Sequence, residues 1–231
     1  MDGVTTSVWG PDPLTRVAAP LREQVTERVR NAILDARLRP GDRLIERELV
    51  ENLRVSRATV REVIRELEAE GLVTVVPQRG AQVTRLSAAD AADIYEMRAT
   101  LEALAVRRFV QRADEDQVRR LRAAVEEIKR TSRRAKGGDS HDQLVAKDRF
   151  YDVLFEGSAS LPLQQTLNTL QARVRLLRAT SLSVPGRPKE AAKELLAVVE
   201  AVEARDAERA AEACVLHIRN ASAAATTQLG P

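Results

Sequence analysis

Three arginines, Arg57, Arg61 and Arg65, recur at four-residue spacing in RATVREVIRELEAEG, beside an apolar set formed by Val60, Val63, Ile64 and Leu67. At helical periodicity the two sets occupy neighbouring faces of one helix, the apolar face turned inward and the guanidinium face outward. A guanidinium donates two hydrogen bonds to O6 and N7 of guanine, or clamps a phosphate. Ser56, just ahead, suits a helix N-cap whose hydroxyl can also donate to phosphate, and Arg47 falls in the first turn of the preceding helix, beside the same groove. Glu62, Glu66, Glu68 and Glu70 interleave with the arginines, so the segment taken alone also reads as a solvated face of i, i+4 ion pairs. The order of the surrounding elements decides between the two.

Other chemistry is excluded by what the chain lacks. One cysteine, Cys214, permits no internal disulfide, and two histidines, His141 and His217, permit no site of three imidazoles. Cys214 and His217 are i, i+3 on one helix: a pair able to chelate a soft metal, or a buried thiol beside a satisfied histidine. No Gly-rich phosphate loop, GxSxG or histidine-based triad is present, which argues against an enzyme. Aromatics are 3%, too few for a base-stacking platform, so the core is aliphatic. The net charge of +3 in 231 residues decides nothing by itself. No apolar run approaches the ~20 residues of a membrane span and no secretory pattern opens the chain, so a cytoplasmic protein is expected, with no membrane partner.

The elements follow from periodicity. Residues 1–15 mix Gly, Pro and Thr without period and read as a mobile tail, with Trp9 as a candidate anchor. From Pro20, Leu21, Val25, Val29 and Ile33 form a stripe on a first helix that stops at Arg39-Pro40-Gly41-Asp42. A second helix covers about 46–53 and a third about 57–70, ended by Gly71. Two β-prone runs, 72–76 and 81–84, flank Pro77-Gln78-Arg79-Gly80 and predict a hairpin. Helix, helix, turn, helix, hairpin is the outline of a winged helix-turn-helix over 16–85. From Ser87, paired with Asp90 in a capping arrangement, helices are predicted at about 88–112, 114–134, 141–157, 161–183, 188–204 and 206–227. The fold class is therefore mainly α: a winged domain, then an all-helical bundle over 86–231.

Residues 20–87, PLREQVTERVRNAILDARLRPGDRLIERELVENLRVSRATVREVIRELEAEGLVTVVPQRGAQVTRLS, closely resemble the DNA-binding domain of the GntR family of bacterial transcription regulators. The resemblance implies DNA contacts at Arg47, Ser56, Arg57, Thr59 and Arg61, with Gln78, Arg79 and Gly80 forming a wing tip toward the minor groove. Arg54 stands where the family commonly has glycine. If its backbone is left-handed, about 1 kcal/mol of strain results, and its guanidinium is placed to gain a phosphate contact.

The remainder resembles the FCD effector domain of that family through MRATLEALAVR (97–107), DRFYDVLFEGSAS (148–160), RATSLSVPGR (178–187) and ELLAVVEAVEARDAERAAEACVLHIRN (194–220). Many members bind a divalent metal through one Asp and three His. The matching positions here are Lys147, Tyr151, Leu195 and His217, and only the last keeps its ligand. A lysine ammonium repels a cation and leucine has no donor, so no metal and no other cofactor is expected. The family's effector is usually an organic acid, sometimes an acyl thioester. Without a metal, a carboxylate requires arginine, and Arg98, Arg173 and Arg178 are the candidates, with Lys147, Tyr151 and His217 completing the wall; each arginine also reads as a snorkelling or ion-paired side chain. The resemblance implies a homodimeric regulator, repressor in the commoner mode, that reads a pseudo-palindromic double-stranded operator and responds to an organic acid. The alternative is a constitutive DNA binder whose helical domain only dimerises.

Overall fold

The computed structural model describes residues 19–34, 37–134 and 141–228. The expected N-terminal tail and Trp9 lie outside them. Helix α1 (Ala19–Leu34) buries Val25, Val29 and Ile33 as its four-residue spacing requires. Leu21, first in that stripe by sequence, is instead 50% exposed, because the turn it belongs to, residues 21–24, is exposed throughout and projects beyond the core. Helix α2 (Glu46–Leu53) ends at Arg54, whose backbone is left-handed at φ 54°, ψ 46°. That conformation redirects the chain within three residues into α3 (Arg57–Ala69).

Both ends of α3 are fixed by local chemistry. The Ser56 hydroxyl accepts from the Thr59 N–H at 3.1 Å, an N-cap worth about 1 kcal/mol. At the other end Gly71 adopts φ +76°, its N–H donates to Glu68 and the Leu72 N–H donates to Leu67, both at 2.9 Å. This double bond closes the helix and drops Leu72 into the core. Strands β1 (Val73–Val76) and β2 (Gly80–Val83) pair antiparallel, Val73 opposite Val83 and Val76 opposite Gly80. Val73 and Val83 face inward onto α3's apolar set, and the tip carries Gln78 and Gly80 at φ 65° and 80°.

Helix α4 (Ala88–Arg112) opens with the capping box expected of Ser87 and Asp90. It is followed by α5 (Glu115–Arg134), α6 (His141–Gly157), α7 (Leu161–Leu182), α8 (Arg187–Glu203) and α9 (Ala207–Thr226). Helix α4 lies along α9, α9 along α8, and α5 along α6 and α8. Two main apolar clusters result. One joins α1, α3 and the hairpin, and the other joins α4 to α9, where Phe109, Leu121, Phe150, Leu154 and Leu195 are nearly or fully buried. No helix among the described residues is long and apolar enough to cross a membrane.

Candidate functional site

Two sets of charged residues stand apart in their surroundings. The first covers the outer surface of the winged region. Arg47, Ser56, Arg57, Arg61 and Arg65 are all exposed, Thr59 is half-buried, and Gln78, Arg79 and Gly80 are exposed at the hairpin tip. The first N–H groups of α3 are free of helical partners and the helix dipole adds positive potential there, which favours an anion. Thr59 is tied to the cap: its Oγ1 lies 2.9 Å from the Ser56 hydroxyl. Arg61 Nε contacts Glu46 at 3.1 Å, with side chains 62% and 41% exposed, and Arg47 approaches Glu51 at 4.0 Å. Exposed pairs of this kind contribute about 0–1 kcal/mol and exchange readily for a phosphate. Arg54 is exposed in its left-handed turn, so the departure from glycine does carry the strain anticipated for it.

The second set is buried between α4, α6, α7, α8 and α9. Arg98 is 1% exposed, Lys147 3%, Arg178 3%, and Tyr151 and His217 are likewise enclosed. Tyr151 is the common neighbour. Arg98 Nη2 donates to its hydroxyl at 3.3 Å, and the Arg178 guanidinium stacks over its ring at 3.9 Å. Each guanidinium also has a carboxylate: Arg98 with Glu102 at 2.7 Å and Arg178 with Asp148 at 3.0 Å. Arg187, Glu194 and Glu102 belong to this cluster and escaped the sequence reading. Arg187 makes two hydrogen bonds to Glu194, at 2.8 and 2.7 Å, and Glu194 Oε2 lies 2.6 Å from His217 Nδ1. The i, i+7 spacing puts Arg187 and Glu194 on one face of α8, but nothing in it points to His217 on α9.

Electrostatics follow burial. The Lys147 ammonium is held well below its ordinary pKa by desolvation and by Arg178, Arg187 and Arg98. Desolvation and Lys147 also lower the His217 imidazole to about 3, so it is neutral. Desolvation pushes the Tyr151 hydroxyl and the Cys214 thiol up, so both stay protonated. Several buried polar atoms find no partner in the protein: Arg98 Nη1, Glu102 Oε2, Arg178 Nε, Arg187 Nε, His217 Nε2 and both amide atoms of Gln143.

Arg173 is corrected. It is exposed, and its guanidinium lies against Gly71 at the end of α3, outside the cluster. Arg173 and Arg178 are five residues apart on α7, about 140° around a helix, so one residue facing the bundle turns the other away. The side chain of His141, at the start of α6, lies outside the described residues.

The metal that the resemblance implies does not fit these residues. Lys147 places a cationic group among three guanidiniums, Leu195 offers no donor, and the Tyr151 hydroxyl is protonated and engaged by Arg98. Among the described residues, no three of His, Cys, Asp and Glu come together as a metal would require.

A winged domain with an exposed arginine face, joined to a helical domain with buried charges, defines a DNA-binding transcription regulator rather than an enzyme. Residues 21–83 match the bacterial regulatory proteins of the gntR family, and residues 93–220 match the FCD domain. The chain belongs to the GntR family, in its FCD-containing branch. It is 30% identical over 214 residues to the uncharacterized HTH-type transcriptional regulator BphR of Paraburkholderia xenovorans, spanning 91% of this chain and 86% of that one. It is 26% identical over 203 residues to the HTH-type transcriptional repressor RspR of Escherichia coli, spanning 88% of each. The fold matches the crystal structure of a putative transcriptional regulator GntR from Rhodococcus sp. RHA1, with TM-score 0.73 and 24% identity over 87% of this chain and 95% of that one.

Proposed function

We propose that the protein is a cytoplasmic, homodimeric repressor. Residues 16–85 read a pseudo-palindromic operator, and residues 86–231 dimerise and bind a small organic acid or acyl compound without a metal. The observation that carries the effector half is a buried cluster of Lys147, Arg98, Arg178 and Arg187 in which each of the three guanidiniums has an N–H that meets no acceptor in the protein. Buried polar atoms are normally paired, and an anionic ligand supplies the missing acceptors. A helical domain that only dimerised would gain nothing from three unpaired guanidinium N–H groups in its core.

On the DNA side, Arg57 and Arg61 are the base and phosphate readers, Ser56, Thr59 and Arg47 hold the backbone, and Gln78, Arg79 and Gly80 reach the minor groove. Met97 and Leu104, exposed one heptad apart on α4, are candidates for the contact between subunits. The repressor mode draws on RspR, which bears that name.

A route between the two sites runs through Asp148. It binds Arg178 from the cluster and Arg175 at 3.0 Å, and Asp148 and Arg175 line a cleft of about 540 Å³ against Arg30, Glu66 and Glu70 of α1 and the α3 end. A ligand that draws Arg178 toward itself loosens its bond to Asp148 and alters this cleft. The equilibrium between arrangements with different separations of two recognition helices then shifts by as much as the ligand's differential affinity allows. The test is a thermal-unfolding screen of the full chain with chelator present. Stabilisation by an acid is expected, and stabilisation by a divalent metal in chelator-free buffer contradicts the reading.

A further inference from the structure

Helices α5 and α8 lie side by side and antiparallel, and the two ends of their seam are charged differently. At one end Arg122 of α5 meets Glu203 of α8 at 3.5 Å, a pair of opposite sign. At the other end the seam opens into a groove of about 280 Å³, bordered by Lys129 and Arg133 from α5 and by Lys189 and Lys193 from α8. None of the residues that line it is acidic. Lys129 and Lys193 reach only Glu126 and Glu190, three residues back on their own helices, at 3.3 and 2.8 Å. Arg133 and Lys189 have no carboxylate partner among the described residues. Each helix thus sets two like charges four residues apart, and both pairs border one space. That arrangement costs stability unless an anion lies between them.

The groove also specifies the chemistry of that anion. Its floor is carbon: Ala192 is buried, Leu196 is half-buried, and the buried Ser132 spends its hydroxyl proton on the Lys129 carbonyl at 2.8 Å. The charge is all on the rim, where four cations exceed what one carboxylate can match and suit the nearly double charge of a phosphoryl group. The choice of lysine agrees. Only five of the chain's 37 basic side chains are lysine, and three of those five line this groove. An ammonium is a compact point charge with three donors, able to serve phosphate oxygens from several directions. The volume holds roughly nine waters at about 30 Å³ each, more than a phosphate ion fills.

We infer that this groove binds the phosphate ester of a small organic molecule, with the phosphoryl group among Lys129, Arg133, Lys189 and Lys193 and the carbon skeleton on Ala192 and Leu196. The site is distinct from the buried cluster. It lies on the outer face of α8, whose inner side carries Arg187 and Glu194.

The test is titration calorimetry on the full chain at constant ionic strength. The probes are glucose 6-phosphate, glycerol 3-phosphate and adenosine monophosphate, with inorganic phosphate, glucose, glycerol and adenosine as their parts. At least one ester should bind tenfold or more tightly than either of its parts. Lys189→Gln with Lys193→Gln should weaken that binding at least tenfold while melting no lower than the native protein, since a like-charge pair is removed. Arg119→Gln, an exposed cation on α5 outside the groove, should leave it unchanged, as should Arg57→Ala with Arg61→Ala on α3. Inorganic phosphate bound as tightly as every ester overturns the ester assignment. Ester binding that survives the double lysine change, or that is lost with Arg57 and Arg61, overturns the site. No binding by any ester at millimolar concentration overturns the inference outright. So does a duplex of unrelated sequence that still binds the Arg57→Ala, Arg61→Ala chain and is lost on adding the two lysine changes, because the occupant is then nucleic acid.

Discussion

Arginine serves the winged region and the helical domain under opposite conditions. On α3, Arg61 and its partner Glu46 are both largely in water, so the pair is weak and a phosphate can displace the glutamate with little loss. In the bundle, Arg98 and Glu102 have side chains only 1% and 2% exposed, and neither can lose its partner without leaving a buried charge. An exposed arginine face is available to any polyanion and gains selectivity from its placement in a groove. A buried set is committed to a fixed arrangement and responds to a ligand that complements it.

The sharpest way to break this comparison is to remove one partner from each region. Glu102→Ala should destabilise the chain by about 3–5 kcal/mol in denaturant unfolding, because Arg98 is left buried and unpaired. Glu46→Ala should change stability by less than about 1 kcal/mol. Equal effects would abolish the distinction. Next in size, Arg57→Ala or Arg61→Ala should weaken operator binding by about 1–3 kcal/mol with stability unchanged, read by fluorescence anisotropy. Native binding should fall steeply between about 50 and 200 mM salt, and a flat dependence would remove phosphate contact from the account.

Lys147→Met should raise stability near neutral pH by on the order of 1 kcal/mol, since a poorly solvated ammonium is replaced by an apolar side chain. The sign with pH is fixed by the direction of the shift. Lys147 is held below its ordinary value, so at neutral pH the unfolded chain binds a proton that the folded chain binds less well. The penalty is full below the folded pKa and vanishes as pH rises through the ordinary value of 10.5, so the advantage of Lys147→Met should shrink toward alkaline pH in urea titrations. A growing advantage would mean that the ammonium has a counter-ion. The smallest effect is at Arg54. Arg54→Gly should relieve up to about 1 kcal/mol of left-handed strain. If operator affinity drops at the same time, its guanidinium touches phosphate.

Periodicity and capping residues made the elements legible. Ser56 and Gly71 bound α3, Ser87 with Asp90 starts α4, and the observed helix limits fall close to those expected. These signals are local, and each acts within one turn of backbone. The winged face was legible for the same reason, because its arginines lie on one short segment and its resemblance to a known domain is dense. The buried cluster was legible only in part. Arg98, Lys147, Tyr151, Arg178 and His217 were named, but Arg187 and Glu194 acquire their meaning from the packing of α8 on α9, which no spacing within one helix reveals. Arg173 shows the converse. A basic residue among apolar neighbours looked internal, yet its angle around α7 turns it toward Gly71.

The most direct test of the account is release of DNA from the native complex. The full chain would be bound to duplex from its own upstream region in chelator and titrated with the acid that the thermal-unfolding screen identifies, beside the Lys147→Met variant. The account predicts that the acid releases the native protein from DNA while the variant stays bound at the same acid concentration. Tight acid binding that leaves operator affinity unchanged would contradict it.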